Sequence, residues 1–166
     1  QDGYSELRKL ARSVIDALSL RNTATHMEWF FGQKGLKFSE IGARPAGEKI
    51  WDMYRFANEF DVYREWALAT LSRPSVQRPS RRYAAGSVQI RPDRDGRVVG
   101  HDGIQEAWAE CGKHVYEYEV PRPGEATKPL DKGWLCNTWF RLRHEDYDAL
   151  RGMMTRIGAT VRCRAQ

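Results

Sequence analysis

Two short aromatic-rich runs, Thr23–Phe31 and Leu36–Ile41, flank the turn sequence Gly32-Gln33-Lys34-Gly35 and constrain the fold more than any other feature of the chain. β-branched and aromatic residues favour a pleated, half-buried backbone, and a glycine-bounded polar tetrapeptide closes the two runs into an antiparallel hairpin. A turn centred on Lys34 sets Glu28 opposite Glu40 and His26 opposite Gly42. Alternation then places Phe30 and Phe38 on the face that carries the two carboxylates. Like charges directly opposite one another destabilise a strand pair, the more so against aromatic rings. A divalent cation removes that conflict, and oxygen-only ligation by two carboxylates suits magnesium or manganese. A slip of one residue would send the glutamates to opposite faces as ordinary surface charges, so spacing alone leaves both readings open.

Helical periodicity surrounds the hairpin. Leu7, Leu10, Ala11, Val14, Ile15 and Leu18 form one apolar stripe over about Ser5–Ser19. After Pro45 and Gly47, Ile50, Met53, Tyr54, Ala57 and Phe60 repeat the stripe, and Val62, Trp66 and Ala69 continue it past a break near Asp61. The polar, proline-containing stretch Arg73–Ser80 reads as a linker, which divides the chain into 1–72 and 73–166. Beyond it, Tyr83–Ile90 reads as a strand with Arg97–Gly100 as its partner across Asp95-Gly96. Gly103–Cys111 reads as a short helix, and Val115–Val120 and Trp134–Leu142 as strands. Tyr147, Leu150, Met154 and Ile157 mark a last helix stopped by Gly158, with Ala159–Cys163 as a closing strand. The fold class expected is α+β, an antiparallel sheet flanked by helices.

A chain of 166 residues with 41% apolar content can bury one sizeable core without cross-links. Cys111, Cys136 and Cys163 show neither a paired framework nor zinc-ligand spacing. No apolar run reaches the length of a membrane span, and the polar start Gln1-Asp2-Gly3-Tyr4 is not a signal peptide, so a cytoplasmic protein with reduced thiols is expected. A start at Gln1 that leads at once into a helical pattern is expected of a piece of a longer chain. The net charge of +5 is concentrated between Arg73 and Arg97, where seven arginines face only Asp93 and Asp95. Such a segment is either a solvated connector or a patch for phosphates or nucleic acid.

The stretch Glu28-Trp29-Phe30-Phe31, followed by Phe38-Ser39-Glu40-Ile41-Gly42-Ala43-Arg44-Pro45-Ala46-Gly47, resembles the metal-binding hairpin of the ATP-grasp superfamily. That pattern is an acidic residue on one strand and E-x-N-x-R on the next. The spacing of positions 28, 40 and 44 is similar to that of biotin carboxylases and formate-dependent ribonucleotide formyltransferases. The resemblance covers about Ser5–Leu71, and beyond it there is a general likeness to the family's C-terminal lobe.

The resemblance implies that Glu28 binds a first magnesium, that Glu40 bridges two metals, and that Arg44 steadies the transferred phosphoryl group and an acyl phosphate. It implies an ATP- and magnesium-dependent ligase that joins a carboxylate to a nucleophile, with manganese as a possible substitute. The family's asparagine is Gly42 here, which leaves a second metal without that side chain. Glu48 lies four residues after Arg44, where biotin carboxylases place a base, although a helix N-terminus also favours an acid. His26, two residues before Glu28, is placed to touch a phosphate or to serve as a half-buried polar residue. The family's glycine-rich loop and adenine-holding residues belong to an earlier lobe, and no such loop is found here. The chain by itself is therefore expected to hold ATP weakly, to lack turnover, and to need the N-terminal part of the same protein. The alternative is a non-catalytic anion- or nucleic-acid-binding module built on residues 73–97, for which the chain carries no RNA-binding signature.

Overall fold

The structure, a computed structural model, describes residues 4–129, 131 and 136–166. The chain forms two compact units, one from the residues up to Trp51 together with Asp61–Arg78, the other from Asp52–Phe60 together with Pro79–Gln166.

The first unit holds α1 (Ser5–Ala17), β1 (His26–Gly32), β2 (Gly35–Gly42), the start of α2 (Ile50–Asn58), and α3 (Val62–Thr70). The stripe of α1 is half-buried at Leu7, Leu10, Ala11, Val14 and Ile15, and the helix lies against β2. The break near Asp61 is a cap: its Oδ1 accepts the Arg64 N–H at 3.1 Å, ending one helical stripe and starting the next. Trp51 meets the rings of Tyr63 and Trp66 edge-on, with centroids 5.5 and 5.4 Å away. No described apolar residue of this unit is fully buried, while Phe30 and Phe31 stand 69% and 83% exposed.

The second unit holds the rest of α2, β3 (Ala84–Ile90), β4 (Val98–Asp102), α4 (Ile104–Cys111), β5 (Val115–Glu119), β6 (Thr138–His144), α5 (Tyr147–Thr160) and β7 (Arg162–Ala165). An antiparallel sheet runs β3-β6-β5, with β6 central and paired to both neighbours. Helix α5 packs on β3 and β6, and α4 packs on α5. Phe140, Leu142, Ile157, Val98 and Val161 are fully buried between these layers. Burying each of the larger apolar side chains contributes roughly 1.5–3 kcal/mol. Cys111, Cys136 and Cys163 are free thiols.

Three expectations for this unit are corrected. The segment after Asp95-Gly96 does not pair with β3: β4 pairs with β7, with His101 opposite Cys163, and β3 pairs with β6. Gly96 explains the change, because at φ 148° the C-terminal backbone passes so close that a Cβ there would lie 2.2 Å from the Gln166 carbonyl oxygen. Arg97 and Gln166 then exchange backbone hydrogen bonds of 2.7 and 2.9 Å, which non-local strands can make and a local turn cannot. Helix α5 runs through Gly158 to Thr160, so the last strand begins at Arg162. Strand β6 begins at Thr138, and the predicted start at Trp134 and Leu135 lies outside the described residues.

His101 accepts or donates a 2.9 Å hydrogen bond with the Thr138 hydroxyl, and burial holds its imidazole below the ordinary value of 6.5. His114 is displaced the same way, by burial and by the nearby His144 and Lys113. As pH falls through 6.5 the unfolded chain takes up these protons first, so their contribution to stability is complete above that value and is lost below it. Urea midpoints are expected to fall between about pH 7 and about pH 5. A midpoint that stays constant over this window would contradict the burial of neutral imidazoles.

Candidate functional site

The hairpin register is His26↔Gly42, Met27↔Ile41, Glu28↔Glu40, then Trp29↔Phe38, Phe30↔Lys37 and Gly32↔Gly35. The turn is the two-residue Gln33-Lys34, with Gly35 at φ 73°, and Ser39 is the extra residue of a bulge. A two-residue turn alone would set Glu28 opposite Ser39. The bulge restores Glu40 as its partner, and the carboxylates stand directly across from each other on one face.

The aromatic wall expected beside them is corrected by the same bulge. Phe38 pairs with Trp29, and their rings meet edge-on at 5.4 Å on the opposite face. Phe30 remains on the glutamate side, with Lys37 as its cross-strand partner. A flexible cation therefore stands near the carboxylates where a ring was expected, a difference that no local sequence signal announces.

Glu28 and Glu40 are exposed, and among the described residues neither takes part in a hydrogen bond or ion pair. His26 is half-buried opposite Gly42. Arg44 follows β2; its Nη1 donates to the Pro45 carbonyl at 2.9 Å, and its side chain folds over Gly42. A Cβ at position 42 would come 3.3 Å from Arg44 Cγ and 3.4 Å from Nε, so an asparagine there would push the guanidinium aside. Glycine at position 42 thus leaves room for the Arg44 side chain.

Glu48 lies at the approach to the N-terminus of α2, outside its first turn. It precedes Ile50, the first residue of α2, and with Lys49 adopts a left-handed backbone, φ 51° and 59°. Each such non-glycine conformation costs on the order of 1 kcal/mol or more and persists only where surrounding structure imposes it. Sequence reading has no means of detecting this strain.

Among the described residues no group of three or more histidine, cysteine or acidic side chains converges as a complete ligand cage. The arginines of residues 73–97 are divided between the two units. Arg73 and Arg78 belong to the first unit and the remainder to the second. Arg82 pairs with Glu145 at 2.8 Å, Arg94 faces Asp93 at 3.5 Å, and Arg97 donates to the Gly124 carbonyl at 2.7 Å.

No family model and no curated protein matches this sequence. Solved structures do. An L-amino acid ligase from Bacillus licheniformis matches with a TM-score of 0.74 at 16% identity, over 96% of this chain and 40% of that one. N5-carboxyaminoimidazole ribonucleotide synthetase from Thermotoga maritima matches with a TM-score of 0.66 at 19% identity, over 100% of this chain and 44% of that one. Phosphoribosylglycinamide synthetase from Anaerococcus prevotii matches with a TM-score of 0.64 at 13% identity, over 92% and 39%. The chain shares its fold with the matched part of these three structures; it is α+β, with antiparallel sheets flanked by helices as expected, and it spans about two fifths of each of the three. The reading as a nucleic-acid module draws no support from these matches. No described helix is long and apolar enough to cross a membrane.

Proposed function

We propose that this chain is the C-terminal part of an ATP- and magnesium-dependent ligase that activates a carboxylate as an acyl phosphate for attack by a nucleophile such as an amine. The observation that carries the reading is the direct opposition of Glu28 and Glu40 on one face of the hairpin, with Arg44 following β2, in a fold shared with three ligases or synthetases. Two facing carboxylates without a protein partner are a costly arrangement unless a cation is shared between them. The donor set fits magnesium: all oxygen, two ligands, and the remaining positions open to water and phosphate oxygens.

When bound, the magnesium ion would neutralise the triphosphate and the charge that develops during phosphoryl transfer. Glu28 and Glu40 would fix the nucleotide phosphates over the hairpin face, and manganese would serve the same donors. Arg44 would hold oxygens of the transferred phosphoryl group and then of the acyl phosphate through its planar guanidinium. His26, opposite Gly42, would reach a phosphate or the substrate carboxylate. The exposed aromatic residues Phe30 and Phe31 support a role for the hairpin inside a longer chain whose N-terminal part covers the nucleotide. On this reading the chain by itself does not turn over ATP, and the whole protein acts in the cytoplasm.

Manganese-induced relaxation of the 166-residue chain tests the site directly. Amide signals around Glu28 and Glu40 should broaden at low Mn2+, and the broadening should disappear in the Glu28→Gln/Glu40→Gln double variant. Broadening centred elsewhere, or unchanged in the double variant, would remove the metal reading.

A further inference from the structure

The second unit contains an open cavity of about 500 Å3 that the hairpin chemistry does not use. From its walls and donors we infer a binding site for a phosphate group, formed by Tyr83, Lys113, His114, Tyr116, Arg143 and His144.

The charge balance of the wall favours an anion. Among the described residues Glu145 is the one carboxylate that lines the cavity, and Arg82 holds it through Nη2 at 2.8 Å and Nε at 2.9 Å. Lys113 and Arg143 are then left as net positive charge, and a compact anion is the complement of that field. Arg143 is held in place rather than mobile: its guanidinium lies 4.6 Å above the Tyr83 ring, and its Nη1 donates to the Phe56 carbonyl at 3.3 Å. Its other N–H groups remain as donors in a fixed plane, a geometry that suits phosphate oxygens.

The neutral groups also present donors. His144 Nδ1 is engaged by the Asp146 backbone, 2.8 Å from its N–H and 3.1 Å from its carbonyl, which leaves Nε2 as the ring nitrogen open to a ligand. The His114 ring lies 4.7 Å from that of His144, centroid to centroid, which brings a second imidazole to the same corner. The Tyr116 hydroxyl is buried with no hydrogen-bond partner, and its ring is held by stacking on Phe56 at 4.2 Å. Burial raises the Tyr116 phenol to about 12, so it keeps its proton, and the stacked ring gives the cavity a fixed wall.

Ammonium, guanidinium and two imidazoles offer more donors than a carboxylate's two oxygens can take, and match the three terminal oxygens of a phosphate. The groups that face His114 are Lys113 on its own turn, His144, Arg143 and Glu145 from the end of β6, and Tyr83 and Tyr116 beside it. Lys113 and His144 both oppose its protonation, and a bound dianion would reverse that balance.

Side-chain NMR of the histidines in the 166-residue chain, titrated at constant ionic strength with inorganic phosphate and separately with phenyl phosphate, tests the site. The expected result is a saturable shift of the His114 and His144 rings, with the titration of His114 moved to higher pH by the ligand. Lys113→Gln should weaken binding by about tenfold, the loss expected for one charge-assisted hydrogen bond. Arg143→Lys should also weaken it, because the charge stays while the planar set of donors is lost. Tighter binding of phenyl phosphate would identify a phosphate monoester, and equal binding would identify free phosphate. Ring signals that do not saturate, or affinities unchanged in both Lys113→Gln and Arg143→Lys, would overturn the inference.

Discussion

Glu40→Gln in the full-length protein is expected to abolish magnesium-dependent ligation and to weaken the nucleotide complex at the same time. Removing the partners that merely orient a metal ligand typically costs roughly 10–100-fold, so loss of a ligand itself should exceed that range. Glutamine keeps the shape and β-propensity of the side chain but removes the charge, so the strand pair is preserved. In the metal-free hairpin the change relieves two carboxylates placed directly opposite one another, a pairing that destabilises by roughly 0.2–1 kcal/mol. Metal-free stability should therefore stay level or rise while activity disappears, a combination that unfolding cannot produce. Steady-state kinetics at saturating magnesium, nucleotide titration and thermal melts on the same variant separate these terms. Near-wild-type turnover would remove Glu40 from the site.

That pairing was legible in the sequence only because two departures cancel. A turn centred on Lys34 sets Glu28 opposite Glu40, whereas the turn actually formed, Gln33-Lys34, is centred half a residue earlier. The Ser39 bulge shifts the register back by one residue just before the glutamates. The position of Phe38, which lies between turn and bulge, receives no such compensation and is on the other face. Bulges depend on backbone twist and cross-strand packing, and nothing in the run Lys37-Phe38-Ser39 announces one.

The same division between local and distant information explains the second unit. Stripes of α1, α4 and α5 and the alternation of β3 and β5 are properties of short segments, and sequence reading places them within a few residues. The pairing of β4 with β7 joins Val98 to Ala165 across most of the unit, and it depends on Gly96 letting the C-terminal backbone approach. The cavity beside Tyr116 was equally hidden. Its histidines come from the turn before β5 and the end of β6, thirty positions apart in sequence, with no motif linking them.

Arg44→Lys should lower ligation by roughly 10–100-fold, as expected when a charge-assisted, two-point hydrogen bond is reduced to a single contact, while ATP affinity changes by less than about threefold. Arg44 Nη1 already donates to the Pro45 carbonyl at 2.9 Å, which fixes the guanidinium plane and leaves its other N–H groups for substrate oxygens. Lysine retains the charge but has no plane to fix, and its ammonium cannot bond a backbone carbonyl and span two phosphoryl oxygens in the same geometry. The lost interaction is one made with the transferred group, so the deficit should fall on kcat rather than on nucleotide binding. Gly42 provides an independent check. Gly42→Asn installs the side chain found in the related pattern but presses on Arg44 Cγ, so it should displace the guanidinium and reproduce part of the Arg44→Lys deficit unless the arginine finds a new rotamer. Kinetics of both single variants and of the double variant decide whether the two positions act together: strictly additive losses would mean that the contact between Gly42 and Arg44 has no bearing on catalysis.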